Sequence, residues 1–296
     1  MLIMKLIHNA NLNFINELQE LREVLKKKEI TIGLVESIEH EVSSTKIICD
    51  DDIYDEKIRN TVNLYVSNIL YKIVLEEYRQ NEMFDFLMDT YFFLKQDEIL
   101  EVEEIIINIL KIENKVGFNK SIFCMNKINS ILLKIKECLD EYKVINIKGF
   151  ITFRMKELRE NIEEIIDKII EEYMVEKEYK EFVKLLKYFV DIQESRIEEI
   201  NIFIQEEGGY SLKNKNGEDI FNEFLKELSE CKVDTEANIE DIIISGLITN
   251  APKRIIIHKK ENNTNKEFLN TIMSVFGDRA TYCKGCSECT LIKSKI

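Results

Sequence analysis

The stretch GFITFRMKELRENIEEIIDKIIEEYMVEKEYKEFVKLLKYFVDIQE, from Gly149 to Glu194, contains no proline and, past its first residue, no glycine. Ile162, Ile165, Ile166, Ile169, Ile170, Tyr173 and Met174 recur at steps of three and four, which is the helical period. Tyr179, Phe182, Val183, Leu186, Phe189 and Val190 repeat that pattern. Between the two stripes stands the charged triplet Glu176-Lys177-Glu178. The spacing predicts two amphipathic helices joined by a short turn, with their faces buried against each other or a common core.

Working outward, the same period governs the chain from Ile53 to about Leu139. Tyr54, Ile58, Val62, Tyr65, Ile69 and Ile73 form one set, Ile99, Val102, Ile105, Ile106 and Ile109 a second, and Ile122, Met125, Ile128, Leu132, Ile135 and Leu139 a third. Gly117 is placed to cap the helix ending near Lys115. The first fifty residues read differently. An apolar strand, Leu2 to Ile7, precedes a helix with Leu12, Ile15, Leu18, Leu21 and Leu25 on one face. Two β-branched runs follow, Thr31 to Ile38 and Thr45 to Cys49.

At about Arg196 the period changes again. Ile197, Ile200, Ile202 and Ile204, then Gly208-Gly209, then Tyr210-Ser211-Leu212 predict a β-hairpin. Helices are expected around Asp219–Glu230 and Ile239–Thr249. Pro252 opens a strand, Arg254 to His258, followed by a helix from about Lys266 to Phe276 and a strand from Arg279 to Cys283. Strands joined through such a helix run parallel if they share a sheet. The fold class is therefore α+β and predominantly α-helical. A helical region (53–195) lies between a small N-terminal βαββ unit (1–52) and a C-terminal α/β module with a Cys-rich tail (196–296).

With 296 residues, 45% hydrophobic and 32% charged, the chain is long and apolar enough for a sizeable core and too apolar for a disordered one. One Pro and nine Gly exclude collagen-like and linker classes. No run of apolar residues is long enough to span a membrane, and the N-terminus carries no secretion leader, so a cytoplasmic protein is expected. The net charge of −14 argues against nonspecific nucleic-acid binding by the whole molecule. Residues 251–296 differ: nine basic and four acidic side chains make this segment +5, leaving −19 elsewhere. A basic tail can bind a polyanion or dock on its own acidic body, and the second is the simpler reading.

Seven cysteines, an odd number, argue against a disulfide framework. Cys49, Cys124, Cys138 and Cys231 are scattered, whereas Cys283, Cys286 and Cys289 form a C-x2-C-x2-C run around Gly285. Thiolates at this spacing can turn back on one ion, as at zinc and iron–sulfur sites. Such sites take four ligands and the run supplies three. If the strands ending at His258 and Cys283 are parallel, both finish at one sheet edge, which makes His258 the fourth candidate; Cys231 is a less constrained one. Dithiol redox chemistry and reduced structural thiols are the alternatives.

Other groups read as structural. Glu163, Glu164, Asp167, Glu171 and Glu172 lie opposite the Ile stripe and form a solvated face. His8 and His40 have no catalytic neighbours in sequence. Phe150, Phe153, Tyr173, Tyr179, Phe182, Tyr188 and Phe189 fall largely at helical spacing, which predicts core rather than a base-stacking platform. No P-loop, G-x-G-x-x-G, H-E-x-x-H or G-x-S-x-G is present, and three His leave little for a His-based triad. No catalytic motif is recognised, which favours a non-enzyme without excluding an enzyme.

From Gly149-Phe150-Ile151-Thr152-Phe153-Arg154-Met155-Lys156, through Val175 to Glu194, to Arg254-Ile255-Ile256-Ile257-His258 and the Cys283–Cys289 run, the chain resembles the YtxC-like sporulation family of spore-forming Firmicutes. The resemblance implies a cytoplasmic protein linked to endospore formation and carries over no catalytic residue. Two readings follow, with a redox or hydrolytic enzyme of unrecognised type as a less favoured third. One is a non-catalytic binding protein with a protein partner in sporulating cells. The other is a metal-binding module, zinc or iron–sulfur, held by Cys283, Cys286, Cys289 and His258, whose basic tail contacts nucleic acid.

Overall fold

A computed structural model describes residues 1–9, 14–39, 42–111, 122–206, 208–224 and 238–290. Leu12, His40, Gly117 and Cys231 lie outside them, as does most of the helix expected at Asp219–Glu230, of which 221–224 are helical. The fold is α+β and predominantly helical. The chain forms two compact units, Met1–Met174 and Val175–Ile296.

In the first unit β1 (Leu2–Asn9), α1 (Ile15–Lys26), β2 (Ile32–Glu39) and β3 (Val42–Cys49) follow the expected βαββ order. β3 pairs antiparallel with both β1 and β2. A strand not expected from sequence, β4 (Val144–Asn146), pairs parallel to β1 and completes the sheet in the order β2-β3-β1-β4. The sheet's inward residues Ile3, Leu6 and Ile47 share one core with the helices. Those helices are α2 (Glu56–Tyr78), continued through a π turn into α3 (Phe84–Thr90), then α4 (Gln96–Leu110) and α5 (Ile122–Glu141). The Asp55 side chain caps α2 by accepting from the Ile58 backbone N–H at 2.6 Å. The buried Asn63 donates to Asp140 at 2.7 Å, fixing α2 against α5.

The stretch expected to form two helices forms one, α6 (Ile147–Ile192). The triplet 176–178 does not break it, because Glu and Lys are good helix formers and neither Gly nor Pro is present. Lys180 pairs with Glu176 at 2.8 Å, an i,i+4 contact that supports the helix across that point. Within the first unit α6 buries Leu158, Ile162, Ile165, Ile166, Ile169 and Ile170.

The aromatic set is also corrected. Phe150 is buried, but Phe153, Tyr179, Phe182, Tyr188 and Phe189 are exposed, Phe153 at 85%. Helical spacing places a residue on an arc but does not tell how wide an arc the core covers. In the second unit only Val183, Leu186 and Val190 of α6 join the core.

The second unit has its own sheet, β6-β5-β7-β8, made of β5 (Glu199–Ile204), β6 (Tyr210–Asn214), β7 (Arg254–His258) and β8 (Ala280–Tyr282). The expected β5–β6 hairpin is antiparallel, and β7 runs parallel to both β5 and β8. Helices α7 (Ile239–Asn250) and α8 (Lys266–Phe276) precede and follow β7. Asn265 caps α8, its side chain accepting from the Glu267 and Phe268 backbone N–H groups. Ile200, Ile202, Ile204, Ile255 and Ile257 meet Phe268, Ile272 and Phe276 in a separate core. Among the described residues no helix is long and apolar enough to cross a membrane.

Candidate metal centre

Side chains alternate along a strand, so β7 sends Ile255 and Ile257 into the core while His258 sits at its C-terminal end. The parallel neighbour β8 ends beside it, and the Cys283 backbone N–H donates to the Ile257 carbonyl at 2.8 Å. From there the chain turns back. Gly285 takes φ +115, a region that side chains rarely adopt, and its N–H points to the Cys283 Sγ at 3.4 Å. A short helix, α9 (Ser287–Thr290), then returns Cys289 to the same spot.

His258, Cys283, Cys286 and Cys289 thus offer four ligand atoms within 4.8 Å of one another. The sulfurs of Cys286 and Cys289 each lie 3.5 Å from His258 Nδ1, and those of Cys283 and Cys289 are 4.0 Å apart. For a tetrahedral zinc, bond lengths of about 2.3 Å to sulfur and 2.0–2.1 Å to nitrogen give edges of about 3.6 Å (S to N) and 3.8 Å (S to S). Three of the six spacings, 3.5, 3.5 and 4.0 Å, are close to those edges, and all four atoms fall within 4.8 Å of one another. An iron–sulfur cubane interposes several metal atoms between its ligand sulfurs and needs a wider set.

The His258 ring is held from its far side. Its Nε2 lies 3.0 Å from Asn201 Oδ1. The Asn201 amide is oriented because its Nδ2 donates to Glu199 at 3.0 Å, so Oδ1 must accept from the ring. Nε2 therefore carries the proton and Nδ1 presents a lone pair to the thiols. Glu199 is in turn gripped by Arg254, through Nε at 2.7 Å and through the second guanidinium nitrogen. Burial alone would raise the Glu199 carboxyl, but hydrogen bonds from Arg254 and Asn201 hold it below its usual range. Phe203 stacks on the imidazole at 4.1 Å and 15°. Arg254, Glu199, Asn201 and His258 form a relay of the kind that orients metal-bound histidines.

Burial and the neighbouring Cys286 and Cys283 push the Cys289 thiol up to about 11. A divalent cation reverses that balance, since coordination deprotonates a thiol outright. We expect Asn201→Ala to weaken metal binding about 10–100-fold, the usual cost of losing such an outer partner. Competition with a chromogenic chelator measures it. An unchanged affinity would mean that the ring is oriented without Asn201.

Sequence reasoning reached His258 and the three cysteines but not Asn201, Glu199 or Phe203. They occupy alternate positions of β5 opposite Ile256, Arg254 and His258. The only sequence cue was their period-2 placement between Ile200, Ile202 and Ile204, and it did not reveal the pairing with β7.

The remaining candidates are satisfied elsewhere. His8 donates from Nδ1 to the Asn9 carbonyl and accepts at Nε2 from Thr45. Glu164 pairs with Lys127, and Lys168 with Glu171 and Glu172. Asp167 accepts from the Tyr91 hydroxyl, and burial raises the Glu163 carboxyl. In the basic segment, Lys253, Arg254 and Arg279 pair with Glu198, Glu199 and Asp191 of the same unit.

No solved structure matches the chain. It is 25% identical over 224 residues to the uncharacterized protein YtxC of Bacillus subtilis (strain 168), covering 74% of this chain and 76% of that one. The model of the YtxC-like family matches residues 64–281, a span that includes His258 and stops short of Cys283. With most of its length matched, from α2 to the last strand before the cysteines, the chain belongs to the YtxC-like family.

Proposed function

We propose that this chain is a non-catalytic binding protein of sporulating cells whose C-terminal unit is organised around one zinc ion. Cys283, Cys286, Cys289 and His258 are its ligands. The supporting observation is that the four ligand atoms gather within 4.8 Å of one another, with three of their spacings close to the edges of a zinc tetrahedron. Four protein ligands fill such a site, and a closed site is structural; catalytic zinc keeps a position for water or substrate. The zinc would join the end of β7 to the segment after β8, a three-residue strand whose buried anchor in the core is the small Ala280. Zinc is preferred to an iron–sulfur cluster on the spacing of the ligands.

The sporulation role rests on the family resemblance, and the cytoplasm follows from that role. A protein partner is preferred to nucleic acid, because the molecule carries −14 overall and three basic residues of the tail segment are paired internally. Elemental analysis of protein purified without added metal tests the zinc: about one zinc per chain and no visible absorbance are expected. Folded protein without metal, or iron with sulfide, would overturn it. Normal heat-resistant spore counts from a strain lacking the chain would remove the sporulation role.

A further inference from the structure

The part of α6 that lies in the second unit carries more apolar surface than its own core uses. Val183, Leu186 and Val190 pack inward, and the Tyr179 hydroxyl meets Thr271 at 2.8 Å. Val175, Phe182, Leu185, Tyr188, Phe189 and Ile192 stand on the adjoining arc, each 49–64% exposed. With 3.6 residues per turn, the combined apolar arc covers about 220° of the helix, and roughly half of it faces no core. Val175, Phe182 and Phe189 recur every seven residues, and Leu185 and Ile192 do the same three positions on, which is a coiled-coil seam.

We infer that this seam pairs with the same seam of a second copy, the two helices running antiparallel about a two-fold axis between Val183 and Lys184. In that register Val175 meets Ile192 of the second copy and Phe182 meets its Leu185. On one flank Glu181 falls beside Tyr188 of the second copy, and the symmetry repeats that contact. A parallel pairing would set Glu178 against Glu178 in the seam, whereas the antiparallel one sets Glu178 against Phe189 of the second copy and separates the two carboxylates, so charge favours the antiparallel arrangement.

The area is sufficient. Half-exposed side chains of this size leave roughly 600 Å² of apolar surface, at the upper end of what a monomer exposes in one patch. Doubled by symmetry it is about 1,200 Å², the lower bound for a specific interface. A two-fold contact needs only one self-complementary patch, and the heptad provides it.

Light scattering on size-separated, metal-replete full-length protein should report a dimer in the micromolar range. Phe182→Glu with Leu185→Glu should weaken it at least about a hundredfold, to monomer, by burying four carboxylates in the seam. Both sites are exposed, so circular dichroism and zinc content should not change. Val175→Cys with Ile192→Cys, which face each other across the two copies in this register, should cross-link the dimer on mild oxidation. A monomeric wild type, or a dimer that survives the paired Glu substitutions with folding intact, would overturn the proposal. A dimer that does not cross-link through that pair would overturn the register.

Discussion

Cys286→Ser should abolish stoichiometric zinc binding and unfold the edge of the second unit while the first unit stays intact. The expectation follows from the separation of the cores. The sheet β6-β5-β7-β8 packs on Phe268, Ile272 and Phe276, whereas the helices of Met1–Met174 close around their own set of side chains. None of the four candidate ligands lies in the first core. Replacing one thiolate with a hydroxyl leaves three ligands and a poorly bound ion. The stability lost is the free energy with which zinc prefers the folded state, about 4 kcal/mol when free zinc exceeds its dissociation constant a thousandfold.

A chelator provides the control for that measurement. It should lower the unfolding midpoint of the second unit in the wild-type protein and leave that of Cys286→Ser unmoved, because the variant has no ion to lose. If the variant keeps one zinc per chain, Cys286 is not a ligand. If the wild type melts identically with and without chelator, the metal contributes nothing to the fold.

How far the sequence could be read depended on how local each signal was. The run Arg254–His258, the helix after it and the strand ending at Cys283 each carry their own period, and the parallel rule then placed His258 beside the cysteines without any further contact information. The βαββ order at the N-terminus was legible for the same reason. Strand β4 was not, because three residues, Val144–Asn146, hold no period. Asn201 and Glu199 were invisible as supporting groups because their role depends on β5 pairing with β7, more than fifty positions away. The exposed aromatic residues of α6 were misread for a different reason. Helical spacing reports that residues share an arc, and it does not report whether the same chain covers that arc.

The charged triplet in α6 is the clearest instance of an apparent break that physical chemistry does not require, and Lys177→Pro tests it. If a turn occupied 176–178, proline there would be tolerated, since it has no N–H to lose and favours turns. In a continuous helix the same residue removes the hydrogen bond to the Tyr173 carbonyl and drives its ring against that carbonyl. The cost is about 3 kcal/mol, with a kink. The expected result is a measurable loss of helical circular dichroism and an unfolding midpoint lowered by several degrees. Lys177→Ala, which keeps the backbone bond and has the best helix propensity, should stay within a few tenths of a kcal/mol of wild type. A proline variant as stable as the alanine one would place a turn where the structure has helix. A destabilised one would show that Ile147–Ile192 is held as one element by backbone hydrogen bonding through its most polar segment, where no core side chain contributes.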